Sequence, residues 1–158
     1  MMKRFILILL CCLLLAACGQ APETPAESPT AAPTDAQLKI LTLYHGDDNA
    51  ENFLSQQIQV PEINETVVID QLILAGVLPE GTAVNTLAQE GTQLNIDLND
   101  TFRNHLFTMG TAGERILVGS VVNTFLSAYG AQTVFLTVNG ELLESGHVVY
   151  DFPLEFYS

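Results

Sequence analysis

The stretch HGDDNAEN gathers His45, Asp47, Asp48, Asn49 and Glu51. Calcium favours oxygen-rich loops of this composition. The order is wrong for an EF-hand loop, which sets acids at alternate positions and closes with a distant bidentate glutamate. A solvated acidic turn without metal is therefore expected. His45, His105 and His147 lie far apart, with neither an HExxH pattern nor an i, i+4 pair. Each reads as a surface or helix-end histidine rather than a ligand. The chain contains no GxSxG elbow, no SxxK pair and no glycine-rich phosphate loop, so no activated nucleophile or nucleotide cradle is announced. Ser120 falls near the apolar stripe of a helix, where packing accounts for it. Asp97 is expected on the exposed polar face of a strand, and Glu114 in a helix cap. No catalytic residue, metal ligand or cofactor is assigned. A carboxylate pair for glycoside hydrolysis leaves little trace in sequence, so a small envelope hydrolase stands as an alternative.

The three cysteines sit at the N-terminus: Cys11, Cys12 and Cys18. Lys3 and Arg4 precede an apolar run, FILILLCCLLLAA, of about 13 residues. That length suits a signal-peptide core and falls short of a membrane-spanning helix. Leu15, Ala16, Ala17 and Cys18 resemble the lipobox of bacterial lipoproteins. The resemblance implies cleavage before Cys18 and a diacylglyceryl thioether on its sulfur. Two acyl chains anchor a protein stably where one binds only marginally. The alternatives are an ordinary secretory signal with a chance cysteine, or an uncleaved anchor. With processing at Cys18, the mature chain keeps no thiol for disulfide, redox or nucleophilic chemistry beyond the lipidated one.

The sequence divides into residues 1–17 as signal peptide, 18–37 as lipidated cysteine and tether, and 38–158 as the folded domain. The tether, GQAPETPAESPTAAPTDAQ, is rich in Pro, Ala, Thr, Ser and Glu and lacks aromatic and branched aliphatic residues. It buries too little apolar surface to fold, and its prolines favour extended polyproline II. The formal charge is −13, and only five residues are basic. Such a surface repels nucleic acid, which excludes that class of partner.

Hydrophobic periodicity supplies the elements. LKILTLY and LSQQIQV read as strands on either side of the acidic loop. NETVVIDQLILAG reads as a helix capped by Asn64 and stopped by Gly76. Two strands flank a turn at Glu90-Gly91; in the second, Leu94, Ile96 and Leu98 alternate with polar residues. Thr111 and Glu114 have the spacing of a capping box. They open a long helix whose buried stripe is Val118, Val121, Val122, Phe125 and Tyr129. TVFLTV, the Asn139-Gly140 turn and ELLE predict a final hairpin, followed by the segment HVVYDFPLEFY. These elements predict an α+β domain, a mixed β-sheet with two main helices packed on it.

Several segments in order, LPEGT (78–82), LNIDLNDTF (94–102), GERILVGSVVNTF (113–125) and VFLTVNGE (134–141), resemble the GerMN domain of sporulation and spore germination. SGHVVYDFPL resembles the tail of that family. The chain departs from the family in the short connection LILAGVLPEGT and in Phe125, where leucine is usual. The resemblance implies a non-catalytic, membrane-tethered interaction module on the extracytoplasmic face, with a protein partner in the envelope. Family members serve spore formation or germination, or occur beside two-component signalling and envelope maintenance. The resemblance carries no catalytic residues. A solute-binding lipoprotein is the other alternative, although about 120 folded residues are few for a two-lobed ligand trap.

Overall fold

The computed structural model describes residues 37–158. The expected signal peptide, Cys18 and the expected tether up to residue 36 lie outside the described residues.

Alternation of apolar and polar residues makes Lys39–Gly46 (β1) and Phe53–Val60 (β2) an antiparallel ribbon, with Leu41 opposite Ile58. Leu41, Leu43 and Val60 are buried and the remainder of the ribbon is half-exposed or exposed. Glu65–Leu74 (α1) follows. The side chain of Asn64 accepts the Val67 N–H at 2.8 Å, which satisfies one of the free donors of the first turn.

A second sheet has the order β3-β4-β5-β6-β7. Its strands are Val84–Glu90 (β3), Gln93–Leu98 (β4), Thr133–Val138 (β5), Glu141–Glu144 (β6) and Val149–Tyr150 (β7). Leu94, Ile96 and Leu98 of β4 face the core, as do Val134, Leu136 and Val138 of β5. β4 and β5 are parallel, whereas the other pairs are antiparallel. Asn139 and Gly140 both have positive φ, 51° and 79°. This is the backbone of a two-residue hairpin turn, which explains the Asn-Gly pair.

The α+β class holds, with two differences from the sequence reading. β1 and β2 form their own two-stranded sheet and do not join the five-stranded one. A third helix, Asp100–Leu106 (α2), follows β4 directly. It has seven residues and buries Phe102 and Leu106, one turn apart. So short a segment has too few periodic positions to stand out.

The long helix, Thr111–Tyr129 (α3), organises the domain. It packs against β1 and also against α1 and β5. Every residue from Leu117 to Leu126 is consequently buried, including Ser120, Asn123 and Thr124. The apolar stripe expected from sequence is too narrow for a helix covered on more than one side. Gly119 makes close approach possible, because a Cβ there would lie 2.4 Å from Phe53 Cζ and 2.9 Å from Tyr157 Cγ. α3 ends at Gly130 in the left-handed conformation (φ 64°), as its glycine predicts.

Candidate functional site

Glu114 is the one buried charged side chain among the described residues, 3% exposed. Its Oε1 accepts the hydroxyls of Ser145 and Tyr150, each at 2.6 Å. Ser145 Oγ in turn accepts the N–H groups of His147 (3.0 Å) and Val148 (2.9 Å). The Ser145 N–H donates to the Val148 carbonyl at 2.8 Å. The first turn of α3 thereby pins the β6–β7 connection and the first residues beyond it. Burial, and then the bond to the Glu114 carboxylate, push the Tyr150 phenol well above its ordinary pKa. Tyr157 is raised too, by burial first and then by the charge of Glu114.

This corrects the reading of Glu114 as a cap. Gly110 is the N-cap residue and makes no side-chain capping bond. The T-x-x-E spacing matches a capping box, but the glutamate turns away from the helix start and into the protein. Oε2 of Glu114 has no hydrogen-bond partner among the described residues. A cavity of about 240 Å³ beside it is walled by Val148, Tyr150, Phe152 and Tyr157, with Thr111 at its edge.

Asp97 also differs from expectation. It is not a free surface charge. Its Oδ1 accepts Thr137 Oγ1 at 2.6 Å and the Gly140 N–H at 2.7 Å, while Oδ2 accepts Asn85 Nδ2 at 2.9 Å. Burial works to raise its pKa, but these hydrogen bonds outweigh it and hold the group below the ordinary carboxylate range. Asp97 ties β4 to the Asn139-Gly140 turn.

In the acidic loop, Asp47 accepts Asn52 Nδ2 at 2.8 Å and the Glu51 N–H at 2.9 Å, both of which lower its pKa. Asp48 is exposed. The loop is a turn closed by its own aspartate, and among the described residues no three His, Cys, Asp or Glu side chains converge as a metal site would require. The fold does bring His45 and His105 to one depression of about 330 Å³, shared with Met109 and Ser120. Their distance in sequence gave no sign of this. His147 sits apart from them, in the turn beneath which Glu114 lies.

The Asn-Thr pair of VVNTF holds two distant segments. Asn123 and the Tyr157 backbone exchange two hydrogen bonds, each 2.8 Å. Thr124 Oγ1 accepts the Tyr44 N–H at 3.0 Å and donates to the Ser120 carbonyl at 2.7 Å. The guanidinium of Arg115 lies 4.9 Å from the centre of the Phe53 ring and donates to the carbonyls of Glu51 and Ser158. Polar side chains inside an otherwise apolar helix are the sequence signal that could have revealed these clasps.

The family model described as "Sporulation and spore germination" matches residues 42–144. Among solved structures, the chain resembles the tandem GerMN domains of the sporulation protein GerM from Bacillus subtilis, with a TM-score of 0.58 and 16% identity. That match covers 82% of this chain and 50% of the other, so the chain spans about half the length of this relative. The first GerMN domain of GerM alone gives a TM-score of 0.48 and 22% identity, over 65% of this chain and 84% of that one. A candidate lipoprotein from Clostridium perfringens gives 0.49 and 18%, over 80% and 93%. No curated protein matches the chain. The family match spans most of the described domain and the tandem domains share its fold, so the chain belongs to the sporulation and spore germination family, with a domain of GerMN type.

Proposed function

We propose that this protein is a membrane-tethered, non-catalytic interaction module of the cell envelope, acting in spore formation, germination or envelope maintenance. Family membership supports the biological setting. The observation that carries the interaction reading is a group of exposed apolar side chains on one segment: Val148 and Phe152 line the Glu114 cavity, and Val149 is exposed next to them in sequence. Exposed apolar side chains grouped on one short segment mark an interaction surface. The buried carboxylate faces two hydroxyls rather than a second carboxylate. That environment suits a structural clasp better than paired acid-base chemistry.

Anchoring is part of the proposal. The Leu15-Ala16-Ala17-Cys18 pattern supports lipid attachment at Cys18, with the domain on the extracytoplasmic face. No described helix is long and apolar enough to cross a membrane. Cys18→Ala should abolish acyl labelling and leave the precursor uncleaved. Unchanged labelling would remove the anchor from the proposal.

The interaction is tested by placing a photocrosslinking residue at Val149 in intact envelopes, with Gln89 as the control position. One stoichiometric envelope protein joined through position 149 and not through 89 is expected. Identical labelling from both positions would refute the surface. Turnover of a wall-derived glycan by the purified chain, lost in Glu114→Gln, would overturn the non-catalytic reading.

A further inference from the structure

Both hydroxyl donors converge on Oε1 of Glu114. Oε2 is left buried and unbonded among the described residues. A buried carboxylate is stable when its oxygens are bonded or its charge is paired. A donor arriving from outside has one place to bind, and the adjoining cavity of about 240 Å³ offers the route. Its walls at Val148, Phe152 and Tyr157 supply apolar surface around that polar end.

We propose that this cavity receives a lysine side chain of a protein partner, with the ammonium at Glu114 Oε2 and the methylenes along Val148 and Phe152. The proposal rests on the interaction reading above and adds the chemistry of the partner. Val148 and Phe152 are each more than a third exposed, so the apolar wall of the cavity is accessible from solvent. Lysine fits better than arginine, because a guanidinium binds a carboxylate through two parallel bonds and Oε1 is already occupied. A compact ammonium needs one acceptor, and its straight stem packs on apolar surface. The remaining charge agrees. Lys39, Arg103 and Arg115 are the only Lys or Arg residues from 37 to 158, and the whole chain carries −13, so the field draws in a basic partner. Arg115 borders the cavity, but its guanidinium is engaged by Phe53 and by the carbonyls of Glu51 and Ser158. The backbone N–H of His147, also at the border, donates to Ser145 Oγ.

The test uses the full chain in detergent micelles and amide NMR. The probes are Nα-acetyl-lysine methylamide and its norleucine counterpart. The lysine probe should give saturable shifts at Thr111, Val148 and Phe152. The norleucine probe should bind at least about tenfold more weakly, as should the lysine probe with Glu114→Gln. Phe152→Ser removes an apolar wall while leaving the bonds of Glu114 to Ser145 and Tyr150 in place. It should weaken lysine binding several-fold, and it decides the matter if Glu114→Gln does not fold. Absence of saturable shifts, equal binding of the two probes, or full affinity in Phe152→Ser would overturn the proposal. Glu114-dependent sedimentation with purified wall sacculi would place the ammonium on a wall peptide and overturn the protein partner. A Val149 crosslink that persists without lysine binding would refute only this assignment and leave the interaction reading standing.

Discussion

Asn123 and Tyr157 exchange two hydrogen bonds: Asn123 Nδ2 donates to the Tyr157 carbonyl, and the Tyr157 N–H donates to Asn123 Oδ1, each at 2.8 Å. A carboxamide buried in the middle of α3 thus imitates a strand neighbour for the C-terminal segment. Asn123→Ala should leave both backbone groups partly buried and unpartnered. A loss of about 2–4 kcal/mol is expected, read from the urea midpoint. Amide exchange at Tyr157 should accelerate more than exchange at β4. Equal acceleration throughout would show that Asn123 does not hold the tail in particular.

Gly119→Ala places a methyl group against two rings, Phe53 and Tyr157. The backbone there is helical, so the obstacle is contact and not conformation. The variant should lose about 1–3 kcal/mol through overpacking. Near-UV circular dichroism should change, because both rings must shift. A variant as stable as the parent would show that the rings yield freely.

Phe125 is fully buried and stacks on Tyr129, with ring centroids 6.0 Å apart. Phe125→Ala should cost about 3–5 kcal/mol. Chemical denaturation measures this directly, and a loss below about 1 kcal/mol would be too small for a core truncation.

Asp97 makes stability depend on acid. Its folded pKa lies below its unfolded value, so its contribution is complete above the unfolded value and fades as pH falls through the folded one. The window is therefore below about pH 4. Asp97→Asn keeps one acceptor oxygen where two are used, and should lose about 1–2 kcal/mol at pH 7. The gap between parent and variant should narrow in denaturation series taken toward pH 3. A gap independent of pH would show that the charge of Asp97 contributes nothing.

Strand and helix positions were legible wherever the period was sustained. Leu94, Ile96 and Leu98 identify β4, and Asn139-Gly140 identifies the β5–β6 hairpin, because each obeys a local rule. Glu114 was misread for the same reason. Its spacing from Thr111 satisfies a local rule, whereas its partners Ser145 and Tyr150 lie 31 and 36 residues away. Asp97 was placed on the right strand and given the wrong task, since Thr137 and Gly140 reach it only through the parallel pairing of β4 with β5. The cavity beside Glu114 draws on α3, the β6–β7 connection and the segment after β7, and no single stretch of sequence contains it.

The parallel pairing also bears on how fast the domain forms. Partners in β4 and β5, such as Gln93 and Thr133, stand forty residues apart. Closing a flexible loop of that length costs about 3 kcal/mol beyond a fixed term. Here the intervening chain is mostly α2 and α3, and a helix that forms early acts as a strut that shortens the span to be closed. The rate-limiting state should therefore contain α3 docked on β5, with β4 paired alongside it. Truncations along α3 would slow folding, whereas changes on the outer strand β3 would mainly hasten unfolding.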